Sequence, residues 1–298
     1  MVDAPGQTAA ETPSSRAQRR LRKGVFVVPS LLTTGNIFCG FYSVTESLAG
    51  AQALSLGDVP AATEHFDRAA VNIGVAYLFD ALDGRIARMT GATTDFGVEL
   101  DSIADVLSFG IAPAILAYTW GYGPIAQIHT VAWGASLLYL VCGALRLARF
   151  NVHANQPHPK QQSKPLTDKK AFVGMPIPAG AGLLAAIVHF LPQPLFKGAV
   201  IAFGGRTLYL DPVVLGTGLL ILVVCLALLM VSTLRYSSLK GGGAGKYHPR
   251  ILILLITLLV LTIWFYSRWS LLILASVYVT HGVVVKAWSL LRPRNRPA

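Results

Sequence analysis

Residues 80–105 read DALDGRIARMTGATTDFGVELDSIAD, a run of carboxylates set between two stretches that are otherwise apolar enough to lie in a membrane. Asp80, Asp83, Gly84, Ala87 and Arg88 follow the spacing i, i+3, i+4, i+7, i+8, which is one face of an α-helix. Gly97, Asp101 and Asp105 recur every four residues and share one face of a second helix. With a connection of about eight residues between the two expected helices, they are antiparallel neighbours whose polar faces meet. The carboxylates then converge.

The rest of the chain sets the medium in which they do so. With 53% hydrophobic and only 13% charged residues in 298, the chain has more apolar surface than a soluble core of that size needs. It reads as an all-α polytopic membrane protein. Apolar segments long enough to cross about 30 Å of hydrocarbon as helices recur along it. We read eight, at 26–48, 69–89, 98–118, 131–150, 172–191, 212–234, 251–266 and 269–291. The last three are nearly uninterrupted Leu, Ile and Val. The first, with PSLLTTGNIFCG at 29–40, mixes Pro, Thr, Gly and Asn into its apolar background, a composition tolerated where a helix lines a cavity or a close helix contact.

Loop charge supports that helix count. With both termini on the cytoplasmic side, 21 of the 25 Lys and Arg residues fall in cytoplasmic segments, leaving Arg68, Lys197, Arg206 and Arg268 opposite. The net charge of +11 is therefore a topology signal and calls for no nucleic acid. The segment RAQRRLRK at 16–23 is also suited to anionic headgroups. The expected organisation is a basic, largely disordered segment at 1–24, a six-helix transmembrane core at 25–234, a glycine-rich cytoplasmic linker at 235–250, two further transmembrane helices at 251–291 and a basic tail at 292–298. The N-terminus does not read as a cleaved signal peptide, because its apolar part is long and broken by Gly and Asn. Cys39, Cys142 and Cys225 fall inside expected spans without metal-ligand spacing, so they read as small packing residues.

Intramembrane carboxylates need compensation. A charged side chain at the centre of a membrane helix costs ~2.5–3.5 kcal/mol on insertion scales, and carboxylates on facing helices repel one another. Arg88 alone does not balance them. Clustered carboxylate oxygens select hard divalent ions such as Mg2+ or Mn2+, and Asp80, Asp83, Asp101 and Asp105 suffice for two ions, an arrangement suited to phosphoryl transfer. Gly84 and Gly97 leave room for a bulky ligand against the helix backbones, and Arg88 offers a bidentate partner for phosphate.

At these residues the sequence resembles the CDP-alcohol phosphatidyltransferase family. The family signature is D-x-x-D-G-x-x-A-R, about eight residues, then G-x-x-x-D-x-x-x-D. It is matched without a gap at Asp80, Asp83, Gly84, Ala87, Arg88, Gly97, Asp101 and Asp105. The resemblance implies a six-helix catalytic core, two divalent cations held by the four aspartates, a CDP-linked lipid across Gly84, Ala87, Arg88 and Gly97, and Asp105 as the base that deprotonates the acceptor alcohol. It also implies a homodimer. SLLTTGNIFCGFYSV at 30–44, ELDSIADVLSFGIAPA at 99–114, GALRLARFN at 143–151 and GMPIPAGAG at 174–182 resemble the branch whose acceptor is serine. That likeness covers roughly the stretch from Pro29 to Gly182. One departure is that Ser30 follows Pro29 where the family often has Asn.

The expected reaction moves a phosphatidyl group from CDP-diacylglycerol to the hydroxyl of L-serine, giving phosphatidylserine and CMP. Arg146, Arg149 and Asn151 cluster at the cytoplasmic end of the fourth helix, where a serine carboxylate needs a cationic partner. Branches that accept inositol phosphate or glycerol phosphate call for basic residues in much the same place. An intramembrane prenyltransferase also grips diphosphate with aspartates and Mg2+, but lacks the Gly-x-x-Ala-Arg run. A divalent-cation or proton transporter needs a polar path across the membrane, and the sixth to eighth helices provide almost none. Acyl chains come from lipid while CDP and serine come from water, so the site is expected at the cytoplasmic boundary of an inner membrane.

Overall fold

The computed structural model describes residues 13–91, 94–154, 171–203, 206–232, 235–237, 257, 261–263 and 265–291. Two long helices form its first hairpin: α1 (Pro13–Ser55) and α2 (Val59–Thr90). α1 reaches back through residues 13–24, upstream of the expected span, where Ala17, Gln18, Arg19, Arg20, Leu21 and Arg22 are all good helix formers. The turn between the two uses Gly57 at φ +80°, then Asp58 as N-cap, its side chain accepting from the Ala61 backbone N–H at 3.0 Å.

The inward face of α1 is polar or small. Thr33, Asn36, Cys39, Gly40, Ser43, Glu46, Ser47 and Gly50 are buried, while Leu31, Phe38, Phe41 and Leu48 point outward. This is the arrangement of a helix that faces lipid with its apolar side and other helices with its small side. α2 answers with Ala62, Phe66, Ala69, Ala70, Ile73 and Ala76, all buried, and Ser43 donates its hydroxyl to the Ala69 carbonyl at 2.8 Å across the seam.

α2 and the next helix are joined by only residues 91–94, half the length expected. Gly91 closes α2 in the left-handed conformation at φ 64°, and the Thr94 side chain caps the start of α3 (Asp95–Asp105) by accepting from the Gly97 N–H at 3.0 Å. Both caps extend the helices into residues that hydropathy alone had left to the loop. From Asp95 the chain stays helical to Tyr122, passing through a π segment at Val106–Ile111, α4 (Ala112–Leu116) and a second π segment at Ala117–Tyr122. Pro113 has no N–H for the Phe109 carbonyl one turn back. The Tyr139 hydroxyl donates to that carbonyl at 3.2 Å from α5 (His129–Ala154).

After β1 (Ala171–Val173) comes α6 (Ile177–Phe190), then the antiparallel hairpin β2 (Ala199–Phe203) and β3 (Arg206–Leu210). α7 (Pro212–Val231) follows, with the Asp211 side chain accepting from the Val213 N–H at 2.7 Å, then β4 (Arg235–Ser237), which pairs antiparallel with β1. α8 (Ser267–Leu291) completes the described chain. Trp120, Tyr122, Tyr139, Phe66 and Phe109 fill the centre between the helices.

α8 is fastened to the core by His189 at the end of α6. Its Nδ1 meets Asp67 Oδ1 of α2 at 2.6 Å and its Nε2 meets Ser267 Oγ at 2.9 Å, while Phe190 packs edge-on against Trp269 with ring centroids 4.6 Å apart. These contacts lie at the end of α2 opposite its acidic motif.

The architecture is all-α apart from two short antiparallel strand pairs. Three helical stretches, Asp95–Tyr122, His129–Val152 and Pro212–Val231, are long and apolar enough to cross a membrane, and α6 is a shorter apolar helix. The chain is a polytopic membrane protein. The expected seventh span at 251–266 lies largely outside the described residues, as do 1–12, most of the glycine-rich linker and the tail at 292–298. Cys39, Cys142 and Cys225 are all free thiols.

Candidate active site

Helix geometry brings the acids to one level. Asp80 lies ten residues before the end of α2 and Asp105 ten residues after the start of α3, so at about 1.5 Å per residue both sit about 15 Å from the connecting turn. Asp83 and Asp101 lie about one turn closer to it. Because the helices run antiparallel from a four-residue connection, equal offsets from it mean equal depth.

Asp80, Asp101 and Asp105 each offer a ligand oxygen, and these oxygens all lie within 4.8 Å of one another. Asp83 is not part of that trio. It is buried, and its Oδ2 accepts a hydrogen bond from the Thr33 hydroxyl of α1 at 2.9 Å. It still acts electrostatically on Asp80 and Asp101, so all four carboxylates share one field. Asp101 Oδ1 and Asp105 Oδ1 are buried without a hydrogen-bond partner. Buried carboxylate oxygens in that state need a positive partner, and a converging set of hard oxygen donors fits a divalent cation.

The surrounding residues divide by exposure. Gly84 is half-buried, and a Cβ built on it would meet the Arg88 guanidinium at 3.5 Å, so the glycine keeps that side of α2 open beneath the arginine. Ala87 is half-buried and Arg88 exposed. Gly97, on the first turn of α3, spends its N–H on the Thr94 cap. Of the residues expected to hold the acceptor, Arg146 is half-buried on α5, within electrostatic reach of Asp105, and its Nε has no partner. Arg149 is exposed one turn further along. Asn151 donates through Nδ2 to Ser102 Oγ at 2.8 Å, which ties the end of α5 to the residue after Asp101.

Several neighbours were not singled out in the sequence. Thr33 orients Asp83; Ser108, one turn past Asp105, donates to the Asn36 carbonyl at 2.9 Å; Ser102 holds Asn151. Gly40 lies against Ser108 so closely that an added Cβ would come to 2.8 Å from the Ser108 Cα. The available signal was the polar composition of TTGN within an apolar span.

Comparison with known proteins bears on the same residues. The sequence profile of the CDP-alcohol phosphatidyltransferase family matches residues 26–210. A CDP-diacylglycerol–serine O-phosphatidyltransferase of Helicobacter pylori is 30% identical over 267 residues, covering 87% of this chain and 91% of the relative. A protein of the same name from Methanocaldococcus jannaschii is 32% identical over 213 residues, 71% of this chain and 81% of the relative. One from Mycobacterium leprae is 37% identical over 182 residues, 59% of this chain and 53% of the relative.

Proposed function

We propose that this chain, which belongs to the CDP-alcohol phosphatidyltransferase family, transfers the phosphatidyl group of CDP-diacylglycerol to the hydroxyl of L-serine, giving phosphatidylserine and CMP. The observation that carries the chemistry is the convergence of the Asp80, Asp101 and Asp105 oxygens within 4.8 Å from two antiparallel helices. The acceptor rests on the relatives, which bear the serine transferase name in both bacteria and an archaeon.

Asp80, Asp83, Asp101 and Asp105 would hold two divalent cations, Mg2+ or Mn2+. When bound, such cations neutralise the diphosphate and favour departure of CMP. The protein's own groups do the remaining work. Arg88 pairs with a phosphate of the CDP group, and Gly84 and Gly97 let the nucleotide approach the backbones of α2 and α3. Asp105 accepts the proton of the serine hydroxyl as the new P–O bond forms and the bond to CMP breaks, and burial keeps water from competing as acceptor. Arg146 and Arg149 receive the serine carboxylate, with Asn151 positioned beside them through Ser102.

The reading includes an inner-membrane location with both termini and the site on the cytoplasmic side, supported by the Lys and Arg bias, and the homodimer implied by family resemblance. It also keeps the division into a six-helix core at 25–234 and two appended helices.

The test is CMP release by the purified protein with CDP-diacylglycerol and Mn2+ or Mg2+, with serine compared to glycerol 3-phosphate, inositol phosphate and no acceptor. Serine-dependent release that EDTA abolishes is expected. Release with another acceptor would retain the aspartate chemistry and overturn the substrate; none with any acceptor would overturn the reaction.

A further inference from the structure

Five buried side-chain atoms among the described residues have no hydrogen-bond partner: Asp101 Oδ1, Asp105 Oδ1, Arg146 Nε, and both Nδ2 and Oδ1 of Asn36. Native interiors hold few such groups, and each calls for a reason. The carboxylate oxygens have theirs in the cation site. Arg146 Nε and Asn36 Nδ2 are N–H donors, which a cation cannot satisfy. They require an acceptor, and Asn36 Oδ1, a neutral oxygen on the same amide, is free to take a donor.

Asn36 is fully buried on the inner face of α1. One turn before it Thr33 donates to Asp83, and one turn after it Gly40 abuts Ser108. Its own carbonyl accepts from Ser108, which follows Asp105 by one turn on the same helix. Asn36 thus lies on α1 between the residue that holds Asp83 and the one that meets Ser108, while Arg146 approaches Asp105 from α5. An unpaired donor on α1 and another on α5, together with an unpaired neutral acceptor on α1, complement a zwitterion.

Resting on the serine reading above, we infer that Asn36 selects the acceptor. Its Nδ2 shares the α-carboxylate with Arg146 Nε, its Oδ1 accepts from the α-ammonium, and the β-hydroxyl is left directed at Asp105. A neutral amide accepts from an ammonium without adding a fifth negative charge to the four carboxylates. An arginine at this position would repel the ammonium and favour a phosphorylated alcohol instead.

The experiment uses the full-length protein in detergent with CDP-diacylglycerol and Mn2+, following CMP release with serine, with ethanolamine, which lacks the carboxylate, and with 3-hydroxypropanoate, which lacks the ammonium. The wild type is expected to prefer serine over both. In Asn36→Leu, which keeps the branched shape and removes the polar atoms, the KM for serine is expected to rise roughly 10- to 100-fold, the range for a lost charge-assisted hydrogen bond. The preference over 3-hydroxypropanoate should shrink by a similar factor, with the KM for CDP-diacylglycerol and the Mn2+ midpoint unmoved. Asn36→Ser, smaller and still polar, serves as the second variant, and thermal stabilisation by CDP-diacylglycerol reports that each variant is folded. Parallel rises in both KM values, a moved Mn2+ midpoint, or an unchanged preference among the three acceptors would overturn the assignment. Failure of both variants to yield lipid-binding protein would make Asn36 a packing residue and overturn it too. Absence of serine-dependent release by the wild type would instead defeat the function on which the assignment rests.

Discussion

Replacing Thr33 with Val tests whether α1 participates in the acidic site. The substitution keeps the side-chain shape and removes the hydroxyl that donates to Asp83 Oδ2 at 2.9 Å. Asp83 is 4% exposed, so bulk water does not readily substitute for the lost donor. The Gly84 backbone N–H also faces the carboxylate, so the change removes one donor and not all of them. The lower end of the range for a hydrogen bond to a charged group therefore applies, about 1.5 kcal/mol. At 1.4 kcal/mol per decade that is about a tenfold effect. It should be read in cation affinity, because the hydroxyl fixes the carboxylate orientation, and losing such an outer partner weakens metal binding about 10- to 100-fold. The assay is CMP release as a function of Mn2+ concentration at saturating CDP-diacylglycerol and serine. The midpoint for Thr33→Val should rise about tenfold with the plateau rate little changed, whereas Thr33→Ser, which keeps the hydroxyl, should stay near wild type. An unmoved midpoint in the valine variant, or an equal shift in both, would refute the argument.

Four further outcomes follow from the same geometry. Asp105→Asn should lower turnover by about 10²- to 10⁴-fold, the contribution of a positioned general base, while folded protein and binding of CDP-diacylglycerol persist; retained turnover removes Asp105 from the base role. Arg149→Ala should raise the KM for serine more than that for the lipid, and an equal effect on both would count against a carboxylate contact there. Gly40→Ala would push a methyl group against the Ser108 backbone and should destabilise the α1 packing by about 1–3 kcal/mol, measured as a lower midpoint of thermal unfolding in detergent. His189→Ala removes the contacts to both Asp67 and Ser267 and should weaken the attachment of α8 by about 1–3 kcal/mol, visible as faster hydrogen exchange across 267–291 with CMP release retained.

The acidic motif was legible because its information is local. Asp80 and Asp83 lie within one helix, Asp101 and Asp105 within the next, and a short connection forces the pair to be antiparallel. Periodicity then determines which residues share a face, and the structure brings Asp80, Asp101 and Asp105 together accordingly. The rotation of Asp83 toward Thr33 was not legible, since it depends on a contact across 50 positions that no helical period records. The same limit explains the length of the loop. Hydropathy ends a helix where the apolar residues end, whereas backbone hydrogen bonding continues to a cap, and Gly91 and Thr94 carry both helices into polar sequence. The π segments after Asp105 were hidden for a related reason, because sequence spacing presumes 3.6 residues per turn throughout.

The polar face of α1 shows how these two kinds of information combine. An apolar helix in lipid gains nothing from burying Thr33, Asn36 and Ser43, so their presence in a membrane span requires partners elsewhere in the fold. Ser43 finds the Ala69 carbonyl and Thr33 finds Asp83, both on α2. The Asn36 side chain finds none among the described residues, although it is fully buried. Were the face only a packing seam, the residue between Thr33 and Gly40 would be better small or apolar, as Ala69, Ala70 and Ala76 are on α2. A buried amide with both ends unspent, on the same helix face from which Thr33 reaches Asp83, makes sense as one wall of a site that a polar ligand completes.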